Sequence, residues 1–193
     1  IKRLKKETNA ILSLDTIRSE VAEEAVKNGV HILNDIWGFQ GDGGMAPVAA
    51  KYGAPVVLMH NQNGTDYAGD MMDEIKRFLM ESVRIARQAG VKDEMIILDP
   101  GLGFGKTFEQ NLVVMRRLAE IKALGYPVLI GASRKSMIGK ILDAGPKDRD
   151  EGTAAMTVLG IVQGADIVRV HNVAANLRAA RVADAVARRD FNG

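Results

Sequence analysis

The sequence contains no cysteine, which excludes disulfides and thiolate metal sites. Its three histidines, His31, His60 and His171, show no metal-ligand spacing. Neither sign of charge dominates: 26 basic and 24 acidic residues leave a formal net charge of +2. That balance gives no general reason to expect nucleic acid or a membrane surface as partner. No apolar run approaches the roughly 18 residues of a membrane-spanning helix, and no secretory signal is visible. Absence of cysteine suits a reducing cytoplasm. Nor does any low-complexity segment or flexible linker divide the chain.

What is present is one unit, repeated. Short apolar runs alternate with longer amphipathic stretches. The expected strands are 10–15 (AILSLD), 30–35 (VHILND), 55–60 (PVVLMH), 95–99 (MIILD), 127–133 (PVLIGAS) and 166–171 (DIVRVH). Near-continuous apolar runs of this kind belong to strands buried on both faces, as in parallel sheets. The expected helices span 18–28, 46–52, 72–89, 112–124, 151–163 and 174–188, several ending just before a glycine. Six βα units in strict alternation imply a parallel α/β sheet, either a barrel or a doubly wound sheet. Polar residues end every expected strand: Asp15, Asn34 and Asp35, His60, Asp99, Ser133, His171. That distribution favours a (β/α) TIM-type barrel, whose active site draws on the C-terminal ends of many strands. A doubly wound sheet uses one switch point instead. A full barrel takes eight units, so six leave two unaccounted for; an open six-stranded sheet is the plainer alternative. The chain begins with Ile, and IKRLKKETNA reads as the end of a helix leading into a strand. The expectation is a single domain over 1–193 that lacks two N-terminal units.

The densest motif is DPGLGFGKT, 99–107. Its glycines permit close approach of a ligand to the backbone. It is not a P-loop, because only three residues separate Gly101 from Gly105. A dinucleotide fingerprint fails too, since Lys106 stands where its third glycine belongs. A plain tight loop is the alternative, but Asp99 at the strand end can accept hydrogen bonds from an amino-substituted heterocycle. GASRKSMIG, 131–139, places Ser133, Arg134 and Lys135 before a short helix, either an anion site or a solvated basic turn. In RVH, 169–171, alternation sets Arg169 and His171 on one side, a pair suited to phosphate or pyrophosphate. SLDT (13–16) and LND (33–35) offer Asp15, Asn34 and Asp35, which either cap the following helices or join Asp99 in a hydrogen-bonding pocket. LMHN (58–61) supplies Met59, His60 and Asn61, with Met59 by default a core residue. Trp37 and Phe39 cover a pocket or merely pack. Arg178, Arg181, Arg188 and Arg189 read as a solvated helix face.

SLDT, LND, LMHN, DPGLGFGK, SRKSMIG and RVH stand in the order found in dihydropteroate synthases, and from about Ala10 onward the chain resembles that family. The resemblance implies a transferase. Its members condense 6-hydroxymethyl-7,8-dihydropterin pyrophosphate with p-aminobenzoate, giving 7,8-dihydropteroate and pyrophosphate. It further implies that Asp15, Asn34 and Asp99 hydrogen-bond the pterin, that Met59 lines its pocket and that Lys135 contacts the ring. Gly103 and Phe104 would border the entrance. Ser133, with Arg134 beside it, would take the p-aminobenzoate carboxylate, and Asn61, Arg169 and His171 the pyrophosphate. Mg2+ would accompany the pyrophosphate with no dedicated protein metal site, and a cytoplasmic homodimer joined through the late helices is expected. Two family loops are absent along with the first units, one of which supplies an Asn that helps hold magnesium. Asn172 stands where the family usually has Asp, and a Gly-, Asp- and Met-containing loop follows Trp37 in place of small residues. The alternatives are a corrinoid-linked methyltransferase domain that binds a methylated folate, and a non-catalytic pterin-binding fragment.

Overall fold

The computed structural model describes residues 1–187. The expected last helix, 174–188, reaches one residue past that range, and Arg188 and Arg189 fall outside the described residues. The chain divides into two compact units, residues 1–62 with 67–99, and residues 63–66 with 100–193.

The first unit opens with α1 (Lys2–Glu7), the helix expected from the basic N-terminal segment, followed by β1 (Ser13–Asp15), α2 (Ser19–Lys27), β2 (Ile32–Asp35), α3 (Met45–Tyr52), β3 (Val56–Met59), α4 (Met71–Ala89) and β4 (Ile96–Asp99). All strand pairs are parallel, and the order in the sheet is β1-β2-β3-β4. Strand order follows chain order, so this sheet contains no reversal of the kind that opens a doubly wound crevice. Each strand is one to three residues shorter than its apolar run: the run marks what is buried, and the ladder marks only what is paired.

Alternation sorts each strand into two faces. One carries Leu33, Val56, Leu58, Ile96 and Leu98, each with no exposed surface. Helix α4 packs against β3 and contributes Met72, Ile75 and Leu79, equally buried. Their spacing of three and four residues is the 3.6-residue period that the sequence displays. Each such side chain, fully buried, contributes roughly 1.5–3 kcal/mol relative to exposure. Asp70 caps α4 by accepting the backbone N–H groups of Met72 and Asp73, and Gly90 ends it at φ +96, a conformation that a Cβ disfavours.

The second unit holds α5 (Phe108–Arg116), α6 (Ala119–Lys122), β5 (Leu129–Ile130), α7 (Ser136–Leu142), α8 (Asp150–Val162), β6 (Ile167–Val168) and α9 (Val173–Ala187). β5 and β6 form a separate parallel pair. The helix expected over 112–124 differs in two ways. It starts earlier, because Thr107 and Gln110 form a capping box, and it is interrupted at Arg117, whose φ of −108° and ψ of 18° are not helical. The expected strands at 127–133 and 166–171 are cut to two paired residues each. Ser133 and His171 therefore lie on connections beyond the strands. α8 and α9 pack on each other, with Thr157 donating to the Asn176 side-chain carbonyl at 2.7 Å. Among the described residues, no helix is long and apolar enough to cross a membrane.

One ion pair ties α2 to α3. The Glu23 carboxylate accepts from Lys51 Nζ at 2.8 Å and from the Tyr52 hydroxyl at 2.9 Å. Those bonds, Lys51 first, hold its pKa down at about 2, against 4.5 for the free group. A depressed carboxylate contributes stability above its unfolded pKa, and the contribution fades as pH falls toward the folded value. Glu23→Gln is therefore expected to melt below wild type at pH 7, with the gap narrowing as pH drops from 4.5 toward 2. Thermal melts across that range check it, and a gap independent of pH would show that the pair contributes nothing through charge.

Candidate substrate-binding site

The second face of the four-stranded sheet is polar where the first is apolar. Paired residues of a parallel ladder project to the same side. The register Asp15 with Asn34, Asn34 with Val57 and Val57 with Ile97 forms one row. Met59 pairs with Asp99 two residues further along, on that same face. Asp15, Asn34, Met59 and Asp99, expected from sequence to act together, thus share one face at the C-terminal ends of their strands. Asn34 and Asp99 are each 6% exposed and Met59 3%. Asn34 Nδ2 donates to Asp15 Oδ1 at 2.8 Å. That bond fixes the amide, and its other end, Oδ1, is buried with no hydrogen-bond partner. A buried carbonyl oxygen without a donor costs about 1–3 kcal/mol, so in a native structure it calls for an explanation.

Asp35 does not belong to that row. It points the other way, fully buried, and accepts the backbone N–H groups of Trp37 at 2.8 Å and Phe39 at 3.0 Å. Burial raises its pKa, and those two donors pull against the rise. Its role is to fold the Trp37–Gln40 turn, in which Phe39 sits at φ +66. His60 is likewise packed, edge-on to Phe78 at 4.9 Å and stacked near Tyr67. Burial, then the Glu74 charge, pushes the Tyr67 phenol up to about 12. The Asn61 side-chain oxygen accepts from the Gln62 backbone at 2.9 Å.

In the second unit the glycine-rich loop and the Ser-Arg-Lys segment meet. Lys135 Nζ donates to the Leu102 carbonyl and lies 4.7 Å from the centre of the Phe104 ring. Gly103, at φ +78, passes beneath the lysine stem, where a Cβ would fall 2.9 Å from Lys135 Cδ. The motif needs glycine here for conformation and for room. Ser133 is joined to His171: its hydroxyl lies 2.8 Å from Nδ1 and accepts the His171 backbone N–H at 3.0 Å. Arg169 and His171 are exposed, with Val170 half-buried between them, and both lie beyond the end of β6 at Val168, where strand alternation no longer sets their direction. Arg134, expected among the substrate-binding residues, spends its guanidinium on Asp150 at 2.8 and 3.0 Å.

Sequence reasoning missed the residues that brace these loops. Lys106, only 9% exposed, donates to the carbonyls of Gly101 and Phe104, both at 3.0 Å. Asn111 accepts the Gly103 N–H at 2.6 Å and donates to the Thr107 carbonyl. The lysine that mimics a P-loop lysine in the sequence is a staple for its own loop. Its signal was the loss of spacing from that motif, which left a cation with no phosphate to hold. No three His, Asp or Glu side chains gather to hold a metal ion among the described residues.

A parallel α/β scaffold presenting carboxylates and an amide on one face, with cations on separate loops, suits an amino-substituted heterocycle and an anion. Residues 1–171 match the profile of a family described as pterin binding enzymes. The chain belongs to the dihydropteroate synthase family. It is 53% identical over 190 residues to the dihydropteroate synthase of Clostridium beijerinckii, covering 98% of this chain and 70% of that one. The Bacillus subtilis dihydropteroate synthase is 50% identical, with 96% of this chain and 65% of that protein covered. A crystal structure of dihydropteroate synthase from Clostridium difficile, obtained in the presence of pteroic acid, superposes with a TM-score of 0.96 at 56% identity, over 97% of this chain and 72% of that one. The chain thus spans about two thirds of the length of the curated relatives.

The staple gives a stability test. Lys106→Met would take the lysine donor from the Phe104 carbonyl and leave the Gly101 carbonyl with the Phe104 N–H alone. It is expected to lower the unfolding free energy by about 1–3 kcal/mol. Urea unfolding measures this, and an unchanged midpoint would show that Lys106 is not structural.

Proposed function

We propose that the protein is a dihydropteroate synthase that condenses 6-hydroxymethyl-7,8-dihydropterin pyrophosphate with p-aminobenzoate in folate biosynthesis. The observation that carries this is the buried, unpartnered Asn34 Oδ1 beside Asp15, on the sheet face that also bears Asp99. A pterin supplies ring N–H and amino donors, which this set of acceptors needs. Met59 would contact the flat ring. Lys135 would approach the pterin, Gly103 and Phe104 would border its site, and Ser133 would serve the p-aminobenzoate carboxylate.

The chemistry follows from those groups. The arylamine nitrogen attacks the methylene carbon, a C–N bond forms, and the C–O bond to pyrophosphate breaks with its electron pair leaving on the pyrophosphate. The amine then loses its proton to water. Arg169 and His171, with Asn61 as a further polar ligand, would stabilise charge growing on the departing group. No nucleophilic side chain enters the balance. Mg2+ would arrive with the pyrophosphate, most of its ligands being phosphate oxygens and waters. The described residues do not build a resident metal cage.

We further propose that 1–193 belongs to one pterin-binding (β/α) barrel domain and carries six of its eight units. The sequential strand order supports this, as do the unpaired edge of β1 and an apolar groove beside it lined by Leu14, Val21 and Ala25. The family expectation of a homodimer is supported by the apolar side chains on α8 and α9, where Leu159, Val162 and Val182 are more than half exposed, and a cytoplasmic location is proposed from the family alone. The paired Arg169 and His171 favour a pyrophosphate ester over a methylated folate.

Calorimetric titration with 6-hydroxymethyl-dihydropterin pyrophosphate tests the reading. Wild type is expected to bind saturably. Asn34→Ala should weaken that binding at least about tenfold, the scale of a lost buried hydrogen bond to a ligand, and Asp99→Ala should weaken it further. Equal affinity in wild type and both variants would remove the pterin site from this face. Tighter binding of methyltetrahydrofolate than of the pyrophosphate ester would favour the methyltransferase alternative.

A further inference from the structure

Residue Arg134 is held by every handle it has. Its backbone lies in the left-handed region at φ +56, an uncommon state for a residue with a Cβ that costs of order 1–3 kcal/mol and persists only where surroundings enforce it. The start of α8 does so three times over. The Arg134 N–H donates to Thr153 Oγ1 at 3.1 Å, its carbonyl accepts from Arg149 Nη1 at 3.0 Å, and its guanidinium pairs in parallel with both oxygens of Asp150. Asp150 in turn accepts from Asn172 Nδ2 at 2.9 Å, and the Asn172 side-chain oxygen is occupied by the Ala175 N–H. An aspartate at 172 could not donate to Asp150, whereas the amide found here does. One carboxylate therefore connects the segment bearing Ser133 and Lys135 to the segment bearing Arg169 and His171.

We propose that Asp150, oriented by Asn172, is a positioning residue that acts through Arg134 to hold Ser133 in the conformation that receives the carboxylate of the amine substrate. Arg134 is then part of the clamp and does not itself grip the substrate. The role rests on the dihydropteroate synthase reading for its substrate, and on geometry alone for the clamp. A two-pronged guanidinium–carboxylate pair fixes direction as well as distance, which a single point charge cannot do.

Asp150→Asn keeps the shape and removes the charge. Steady-state kinetics on the protein are expected to show the KM for p-aminobenzoate raised about tenfold, the equivalent of one charge-assisted hydrogen bond, with the KM for the pterin pyrophosphate and kcat little changed. Asp150→Glu, which keeps the charge, should recover most of that loss. A residue that only supported the fold would lower the active fraction and hence kcat, leaving both KM values alone. Limited trypsin digestion supplies a readout independent of turnover: cleavage after Arg134 and Lys135 should be slow in wild type and at least severalfold faster in Asp150→Asn. An unchanged KM for p-aminobenzoate, or unchanged cleavage at those two sites, overturns the proposal. Wild-type protein that turns over no pterin pyrophosphate overturns the functional reading instead, and the digestion then decides the clamp by itself.

Discussion

The register of four parallel strands is the constraint on which the first unit's chemistry depends. Had β2 slipped by one residue against β1, Asn34 would have turned to the face now held by Leu33 and Leu58, and Asp35 would have replaced it. The two residues are adjacent in sequence and alike in polarity, yet one accepts backbone N–H groups within a buried turn and the other ends in an unpartnered oxygen. Register is secured from the apolar side. Leu33, Val56, Leu58, Ile96 and Leu98 leave no surface exposed, so a one-residue slip of β2 would take Leu33 out of that layer and set a polar neighbour in its place, at a cost of roughly 1.5–3 kcal/mol for the lost burial alone. Hydrophobic burial on one face thereby fixes which polar atoms appear on the other.

The second unit solves a different problem. Its two strands pair over two residues each, so a ladder cannot fix the side chains that follow them. Side chains take over that work. Lys106 and Asn111 brace the glycine-rich loop, Arg149, Asp150 and Thr153 grip Arg134, and Ser133 is bonded to both the backbone and the ring of His171. Polar bracing of this kind costs more to bury than an apolar core, but it is directional. The Arg134 pair also carries a pH limit. Asp150 is held at about 2 by Arg134 and then Asn172, so the pair keeps its charge at any pH well above that value.

The sequence made the alternation of strands and helices plain, because buried apolar runs and 3.6-residue spacing are properties of single segments. The parallel α/β class, the order of the elements and the family follow from that and from the motifs. Pairing length was not legible. Residues 127–133 are as apolar as a strand requires, yet only Leu129 and Ile130 are in the ladder, since burial and backbone pairing are different quantities. The candidate site was partly legible. Asp15, Asn34, Met59 and Asp99 do share a face, and Ser133, Lys135 and His171 do lie among loops that touch. The sequence suggests a substrate contact for Arg134, because a cation beside a serine at a strand end usually faces solvent or ligand, and the pair with Asp150 is what it does not show. Its partner Asp150 lies 16 residues away, at a helix start that looks in sequence like any acidic first turn. A contact set by tertiary packing leaves no periodic signal.

Asn172 shows how far such reasoning extends once coordinates are added. From the sequence it is a departure from the family's usual Asp, with no consequence attached. In the structure the amide donates to Asp150 while its own oxygen is occupied, an arrangement that only an amide satisfies next to that carboxylate. With Asp at both 150 and 172, two like charges would share one guanidinium and raise the pKa of one of them. In this chain the negative partner of Arg134 stands on the first turn of α8, and position 172 supplies a donor to it. The two positions form one electrostatic unit, and a substitution at either has to be judged with the other in place.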